Sequence, residues 1–436
     1  MIGILATPVF TRMLGGEEYG SVAFYLSVVG VVSSVISPLV SGSRIYGVVS
    51  KYKSDFSTVT LSAVTPILAF CGGICIVLFT FKALFPLDTT FILLVTLQVI
   101  SDSIVLIYLT AERYNYEHKR VAALTLTEAA LSPIISFLLI RIFGKSYLMR
   151  VLGLLLPPLV IAIVIVAIAA YRGKARKDCT SLILSSGIPL IPLSLITSLS
   201  AYSDRLLTAF LLGNSGIAKY SVAHTVGAGL LFAVSALSAS FIPWMLRRME
   251  RAEYERVGEV SESVIILLCA GGVFLIVLSP EIMRIFAPAD YYVAIYAVIP
   301  IALSAVPIFI SSTASAAILH TGGGKSLIIS RLAALFTAAL LGVALIPSLS
   351  YLGAGLSALA SECAGAIINC LTLKKRGSER IIRIGNSRLA LVILISIYPV
   401  LPALYENLAL RILTLIIPSV IALNLLFSRG RLLLEG

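Results

Sequence analysis

The chain alternates between long apolar runs and short polar segments from one end to the other. An apolar run of about 18 residues or more predicts a membrane-spanning helix, because the hydrocarbon core of a bilayer is roughly 30 Å thick. The pattern therefore predicts an all-α, polytopic membrane protein of about 14 transmembrane helices, counting a short first run. The predicted spans are 1–10, 20–42, 57–81, 89–111, 121–140, 151–171, 180–202, 217–245, 260–279, 292–319, 326–346, 352–373, 389–405 and 408–427.

Composition excludes a soluble protein. Hydrophobic residues make up 59% of the 436 residues and charged residues only 12%, which is too little charge to cover the surface of a soluble domain. The formal net charge of +12 comes from Lys and Arg residues in short loops between apolar runs. Because these residues form no basic domain, the charge does not predict nucleic-acid binding.

The placement of the basic residues predicts the orientation of the helices. With a cytoplasmic N-terminus, roughly 24 of the 33 Lys and Arg residues fall in loops on one side, as the positive-inside rule requires. This sorting predicts an even number of helices in the cell (cytoplasmic) membrane, with both termini cytoplasmic. The first apolar run, 1–10, would rise only about 15 Å as a helix, so we expect the first helix to be truncated.

Polar segments and a short sequence echo divide the chain into two lobes. Leu14-Gly15 precedes a Ser-Val-Ala triplet at 21–23, and Leu212-Gly213 precedes the same triplet at 221–223. Structural repeats are common in secondary transporters, although chance similarity in a Leu/Ser/Val-rich chain is the alternative. The predicted parts are an N-terminal lobe (1–171), a cytoplasmic linker (172–179), a C-terminal lobe (180–373), a basic cytoplasmic loop (374–388), and the last two helices with a cytoplasmic tail (389–436).

Several segments resemble the polysaccharide (O-antigen type) flippase family. They are Pro-Val-Phe-Thr-Arg-Met-Leu-Gly-Gly-Glu-Glu-Tyr-Gly at 8–20, Ser203-Asp204-Arg205 with Leu212-Gly213 and Tyr220-Ser221, Pro243-Trp244, and the segment 280–291. That family belongs to a superfamily of multidrug/cation, oligosaccharidyl-lipid and polysaccharide exporters. The resemblance implies a MATE-like fold of two pseudo-symmetric bundles that moves an undecaprenyl- or dolichyl-diphosphate-linked oligosaccharide outward by alternating access. The incomplete start of the first helix departs from the family, so the resemblance does not define the N-terminal edge of the cavity.

The candidate substrate-binding residues are cations in or beside the predicted spans. Charges at membrane depth are expensive, so they are functional hypotheses by default. Arginine suits a diphosphate because its planar guanidinium donates two parallel hydrogen bonds. The candidates are Arg12, Arg44, Arg205 with its neighbour Asp204, and Arg331. The alternatives are interfacial anchors for Arg12, Arg44 and Arg331, and a local Asp204–Arg205 pair.

The candidate ion-coupling residues are Asp102, Glu128, His224 and Glu362, which also lie inside predicted spans. A carboxyl group surrounded by apolar helices suits the binding of H+ or Na+, and histidine is the side chain whose ordinary pKa lies nearest to neutrality. Structural carboxyls, neutral or paired with arginine, and a packing histidine are the alternatives.

Three classes of function compete at this point. The resemblance favours a flippase, with membrane lipids and polysaccharide-assembly enzymes as candidate partners and no cofactor or metal. The alternative is an ion-coupled multidrug or cation antiporter of the same superfamily, which would depend on the acids more than on the arginines. A polymerase or glycosyltransferase is disfavoured because the predicted outer loops are short. Gly322-Gly-Gly-Lys325-Ser326 lacks the glycine spacing of a P-loop, so the sequence does not predict ATP hydrolysis.

Overall fold

The protein is built from helices in the part of the chain that the computed structural model describes. That part comprises residues 2–41, 43–52, 55–82 and 88–383, with scattered positions from 385 to 420. Its α-helices are α1 (Ile2–Val40), α2 (Ser43–Lys51), α3 (Phe56–Phe81), α4 (Thr89–Tyr114), α5 (His118–Phe143), α6 (Tyr147–Arg172), α7 (Lys177–Gly187), α8 (Ile191–Glu250), α9 (Tyr254–Phe286), α10 (Val298–Leu303), α11 (Ala305–His320), α12 (Gly324–Leu349) and α13 (Tyr351–Lys375). Short 3₁₀ helices cover Ile188–Leu190, Ala289–Ala297 and Glu379–Ile381.

Ten helical stretches of the described chain are long and apolar enough to cross a membrane. Two of the helices are too long for a single crossing, since 39 residues in α1 and 60 in α8 would extend about 58 Å and 90 Å as straight helices. Each is interrupted by one residue with non-helical backbone angles, Gly15 in α1 and Gly213 in α8. Dividing both stretches there gives twelve helical segments, and the last two predicted spans lie almost wholly outside the described residues.

The two interrupting glycines share one backbone conformation. Gly15 has φ 76° and ψ 175°, and Gly213 has φ 72° and ψ −174°. Residues other than glycine are essentially excluded from this region because their Cβ atom clashes with the backbone. The Leu-Gly echo in the sequence therefore corresponds to the same helix break in each half of the chain.

Replacing Gly213 with Ala should destabilise the protein through backbone strain alone, because a Cβ added there meets no atom within 4 Å. The expected loss is of the order of 1–3 kcal/mol, measured as a lower unfolding temperature in detergent. Gly229 on α8 is the matched control, because it also has no atom within 4 Å of an added Cβ and no positive φ. Gly229→Ala should leave stability unchanged or raise it slightly, and equal losses in both variants would contradict the strain argument.

The structure divides into two compact units, Met1–Tyr202 and Ser203–Gly436, whose boundary falls within α8. The core of the first unit is formed by α1, α3, α4 and α6, with Tyr25, Ile36, Ile67 and Ile107 fully or almost fully buried. Helices α5 and α6 are in close contact at Gly153, where an added Cβ would overlap Ser136. Small residues at helix contacts are typical of membrane proteins.

The second unit has its own core, built by α8, α9, α11 and α13. Phe309 is buried there against Phe241, with the ring centroids 5.5 Å apart. The predicted basic loop 374–388 packs against α9, and its Ile381 is fully buried in this core. Arg380 lies 3.2 Å from Glu255, and Arg383 lies 4.0 Å from Glu259, so acids one helical turn apart pair with this loop.

The structure places several predicted boundaries differently, and one of them concerns candidate residues. The spans expected at 180–202 and 217–245 are joined by helix, so Asp204 and Arg205 lie inside α8 and not in a loop after it. The charged pair interrupts the apolar pattern, and the helix nevertheless continues because the protein itself supplies partners for both side chains. Those partners form the candidate site of the second unit.

Candidate functional site

Asp204 is the most buried acid of the candidate site in the second unit, with 4% of the residue exposed. The hydroxyl of Tyr220 donates a hydrogen bond of 2.7 Å to Oδ2 of Asp204. The backbone N–H of Arg205 donates to Oδ1 at 2.8 Å, and the Nε atom of Arg205 lies 3.6 Å from the same oxygen. A buried carboxylate is tolerated only when it is paired and hydrogen-bonded, and Asp204 meets both conditions.

Arg205 also contacts His224. The Nη2 atom of the guanidinium lies 3.0 Å from Nε2 of the imidazole ring. Because a guanidinium group only donates, Nε2 of His224 accepts in this arrangement, and His224 is then the neutral Nδ1–H tautomer. Tyr220 and His224 are four residues apart on α8, so they lie on one face of the helix and hold Asp204 and Arg205 together.

Arg331 and Glu362 bring two further helices into this cluster. The Nη1 atom of Arg331 on α12 lies 3.8 Å from Oε2 of Glu362 on α13, and both side chains are only about one-fifth exposed. Glu362 is close enough to Asp204 for the two carboxylates to interact electrostatically. We call this cluster the unit 2 network; it consists of Asp204, Arg205, Tyr220, His224, Arg331 and Glu362.

A double-mutant cycle on Arg331 and Glu362 should reveal energetic coupling between them. Contacting members of one charged network commonly show coupling energies of about 0.5–3 kcal/mol. We expect the coupling energy obtained from Arg331→Met, Glu362→Gln and the double variant to fall in that range. Thermal unfolding in detergent measures the effect. Strict additivity of the two substitutions would show that the pair makes no net contribution to stability.

The predicted acids of the first unit also lie close together. Asp102 on α4 accepts a hydrogen bond of 2.9 Å from Nε2 of Gln98, one turn earlier on the same helix. Glu128 on α5 is close enough to Asp102 to interact with it electrostatically. The Oε1 atom of Gln98 is buried and has no hydrogen-bond partner in the described part of the chain. An added proton or cation would reduce the repulsion between the two carboxyl groups, and the Oε1 atom of Gln98 is a further acceptor beside them.

The two remaining candidate arginines, Arg12 and Arg44, lie outside both clusters of charged residues described above. Arg12 is exposed on α1, where its Nη1 atom donates to the backbone oxygen of Pro8 at 2.9 Å. It precedes Gly15 by three residues, whereas Arg205 precedes Gly213 by eight, so the two arginines do not occupy equivalent positions. Arg44 lies in α2, and its side chain is outside the described residues.

Arg150 on α6 was missed by the sequence analysis. Only 9% of this residue is exposed, and its guanidinium lies 3.9 Å from the centroid of the Phe10 ring. Its Nη1 atom donates to Oγ of Ser136 at 2.6 Å. Among the residues that the structure describes, no carboxylate lies within ion-pair distance of Arg150. Tyr19 is close enough to interact with Arg150 electrostatically. A buried cation whose neighbours are two hydroxyl groups and an aromatic face has the capacity to bind an anion.

Signals for the missed residues are present in the sequence. Ser146 accepts a hydrogen bond from the backbone N–H of Leu148 and caps α6, which places the start of the helix before Arg150. A serine at that position is a common helix start. Tyr220 could have been found from its spacing of four residues to His224, since side chains at i and i+4 meet on one helix face.

Comparison with known proteins assigns the chain to a family. Residues 1–249, more than half of the chain, match the family model described as polysaccharide biosynthesis protein. The chain belongs to the polysaccharide biosynthesis protein family. The family resemblance predicted from the sequence is thereby confirmed. A search of curated proteins finds no match to this family member.

Solved structures share the fold of this polysaccharide biosynthesis protein over most of its length. An inward-facing multidrug resistance MATE family transporter of the MOP superfamily aligns with a TM-score of 0.69 at 14% identity, covering 87% of this chain and 95% of that one. The lipid II flippase MurJ in an inward closed conformation aligns with a TM-score of 0.67 at 15% identity, covering 96% and 95%. A MOP superfamily transporter from Pyrococcus furiosus aligns with a TM-score of 0.59 at 14% identity, covering 86% and 91%.

These likenesses confirm the predicted fold class. The family member is an all-α, multi-pass membrane protein with a MATE- and MurJ-like arrangement of helices. At 14–15% identity the neighbours establish the fold and not the cargo.

Proposed function

We propose that the protein is a flippase that moves a lipid-linked oligosaccharide across the cytoplasmic membrane by alternating access. One observation carries the proposal: the chain belongs to a polysaccharide biosynthesis family, and its described residues form apolar helices long enough to cross a membrane. A protein built in this way contributes to polysaccharide synthesis by moving a precursor through the bilayer. Its fold is shared with a lipid flippase over 96% of the chain, which supports this role.

The positions of the cations suit a diphosphate-linked substrate. Arg150 is the buried cation with no acid beside it in the described chain, so it has the greatest capacity to bind a phosphate oxygen. Arg205 and Arg331 are each about one-fifth exposed and already pair with acids, so they would bind an anion only by exchanging partners. In this proposal Arg150 contacts the diphosphate, and Arg205 and Arg331 bind it only after they exchange their acid partners.

The acids suit a role in ion coupling. In the unit 2 network two carboxylates, Asp204 and Glu362, face two guanidinium groups and a neutral imidazole, so the formal charge of the network is balanced. Adding H+ or Na+ would disturb this balance and favour a different arrangement of partners, which is how a bound ion shifts a two-state equilibrium. The Asp102–Glu128 pair of the first unit offers a second position for such an ion.

The proposed topology retains both termini in the cytoplasm. The basic segments 172–179 and 374–388 then lie on the cytoplasmic side, as the positive-inside rule requires. The proposed lobes are 1–171 and 180–373, followed by the last two helices and tail at 389–436. Polysaccharide-assembly enzymes are the partners that would supply and consume the lipid-linked unit on opposite faces of the membrane.

Ligand stabilisation tests the proposal without a transport assay. A ligand that binds the folded state raises the unfolding temperature, and at a hundredfold excess over its dissociation constant it contributes about 2.7 kcal/mol. We expect a polyprenyl-diphosphate oligosaccharide to stabilise the purified protein, and the same prenol without diphosphate to do so far less. Equal stabilisation by both compounds, or by neither, would count against a flippase for this substrate class.

An ion-coupled multidrug or cation antiporter is the second candidate. It is favoured by the fold shared with a multidrug resistance MATE transporter and by the intramembrane acids. Cationic dyes should then stabilise the protein in the ligand assay, and Asp102→Asn or Glu362→Gln should remove that effect. A response to dyes but not to the diphosphate lipid would favour the antiporter.

A further inference from the structure

Helices α4, α5 and α6 line an open groove on the first unit, with a volume of about 520 Å³. Its walls are almost entirely apolar, with Leu124, Leu131 and Ile135 from α5 and Leu156 and Ile161 from α6. Leu131 is 39% exposed and Val160 is 56% exposed, so the groove is open to its surroundings and is not an enclosed cavity. An open apolar groove on membrane-spanning helices is filled by a hydrocarbon chain, because hydrocarbon is the solvent there.

One end of the groove is charged. Arg120, on the first turn of α5, lines it, and its side chain is 63% exposed. Its ion pair of 3.8 Å with Glu117, whose side chain is 47% exposed, is of the surface kind that contributes little, whereas the side chain of Glu112, 3.5 Å away, is only 10% exposed. A phosphate oxygen could replace Glu117, since arginine binds phosphate in bidentate geometry. The groove therefore suits a molecule with an anionic head and an apolar chain.

The length of the groove identifies the kind of chain. From Arg120 to Ile135 α5 advances 15 residues, which is about 22 Å of helix. Half of a roughly 30 Å hydrocarbon core is about 15 Å, the depth that one leaflet of phospholipid tails fills. The groove thus continues past the middle of the bilayer, farther than a phospholipid headed at Arg120 would reach.

We propose that this groove holds the prenyl chain of a polyprenyl-diphosphate lipid, with the diphosphate beside Arg120 before the headgroup crosses to Arg150; this rests on the proposed function. Glu128, four residues after the lining residue Leu124, lies at the edge of the same face of α5 and near Asp102. The groove accounts for how a chain longer than one leaflet stays attached to the protein while the headgroup crosses.

Photolabelling in liposomes tests the groove. The probe is a polyprenyl-diphosphate oligosaccharide with a diazirine on its prenyl chain, and labelled peptides are located by mass spectrometry. We expect labelling on α5 and α6, lowered about tenfold by Leu131→Trp or Val160→Trp, which fill the groove from exposed lining positions. Leu126→Trp is the matched control, because Leu126 is 59% exposed on α5 and does not line the groove.

A second comparison separates the headgroup from the chain. Arg120→Gln should lower labelling by the diphosphate probe and leave labelling by the corresponding prenol unchanged. Labelling of α5 and α6 by a diazirine phospholipid with equal efficiency, or labelling insensitive to both groove-filling variants, would overturn the proposal. Transport is measured in the same liposomes. Transport without groove labelling contradicts the groove alone, and groove labelling without transport contradicts the proposed function alone.

Discussion

Replacing Asp204 with Ala should abolish transport and destabilise the protein more than any other single change in the unit 2 network. The substitution leaves the Arg205 guanidinium without its buried counter-charge and the Tyr220 hydroxyl without its acceptor. Removing one partner of a buried ion pair typically costs about 3–5 kcal/mol, because the other charge stays in a low-dielectric site. Thermal unfolding in detergent and initial transport rates in liposomes measure the two effects.

Two milder variants show which interaction of Asp204 matters. Asp204→Asn keeps an acceptor for Tyr220 and removes the charge, whereas Tyr220→Phe removes one hydrogen bond, worth about 0.5–1.5 kcal/mol, and keeps the charge. We expect the Asn variant to lose transport and to be destabilised less than the Ala variant, because Tyr220 keeps an acceptor although Arg205 loses its counter-charge. We expect the Phe variant to retain transport. Full transport by Asp204→Asn would show that the carboxylate serves the fold only.

Replacing Arg150 with Met should reduce transport at least tenfold while the unfolding free energy stays within about 1 kcal/mol of the unmodified protein. Apolar replacement of a buried charge is often neutral or stabilising, because the cost of burying the charge disappears. Methionine retains an unbranched chain and a favourable contact with the Phe10 ring. A large loss of transport with little loss of stability indicates a residue retained for its charge.

Two further substitutions control for the shape of this site. Ser136→Ala removes the hydroxyl that Arg150 contacts and should lower transport only slightly, because the guanidinium keeps its position over Phe10. Arg150→Lys keeps a charge but not the planar fork, and we expect intermediate transport. If Arg150→Met loses stability and transport together, Arg150 acts in packing and its assignment to the diphosphate fails.

The fold was predictable because every membrane helix must satisfy its own backbone and present apolar side chains to lipid. That constraint produces the long runs from which α3 to α6 were placed within a few residues. Local breaks were harder to predict. The span expected at 292–319 is a 3₁₀ helix followed by α10 and α11, in a region where Pro300 and Pro307 each lack the N–H that a regular helix uses.

The candidate site was predictable as a set of residues but not as a network. Charges in or beside apolar runs pointed to Asp204, Arg205, His224, Arg331 and Glu362, and the structure brings all five together. Their pairing depends on how α8, α12 and α13 rotate about their axes, and packing sets those rotations. Arg150 was missed for a related reason, since polar residues at a helix end look like loop residues until the cap at Ser146 is recognised.

Outward movement of a lipid-linked oligosaccharide tests the central claim most directly. The purified protein is reconstituted in liposomes with a fluorescent polyprenyl-diphosphate oligosaccharide, and exposure of the sugar is followed with a membrane-impermeant quencher or glycosidase. We predict that the protein accelerates exposure over protein-free liposomes and that Arg150→Met removes most of the acceleration. Exposure at the protein-free rate, alongside ion-driven efflux of cationic dyes from the same liposomes, would contradict the flippase and support the antiporter.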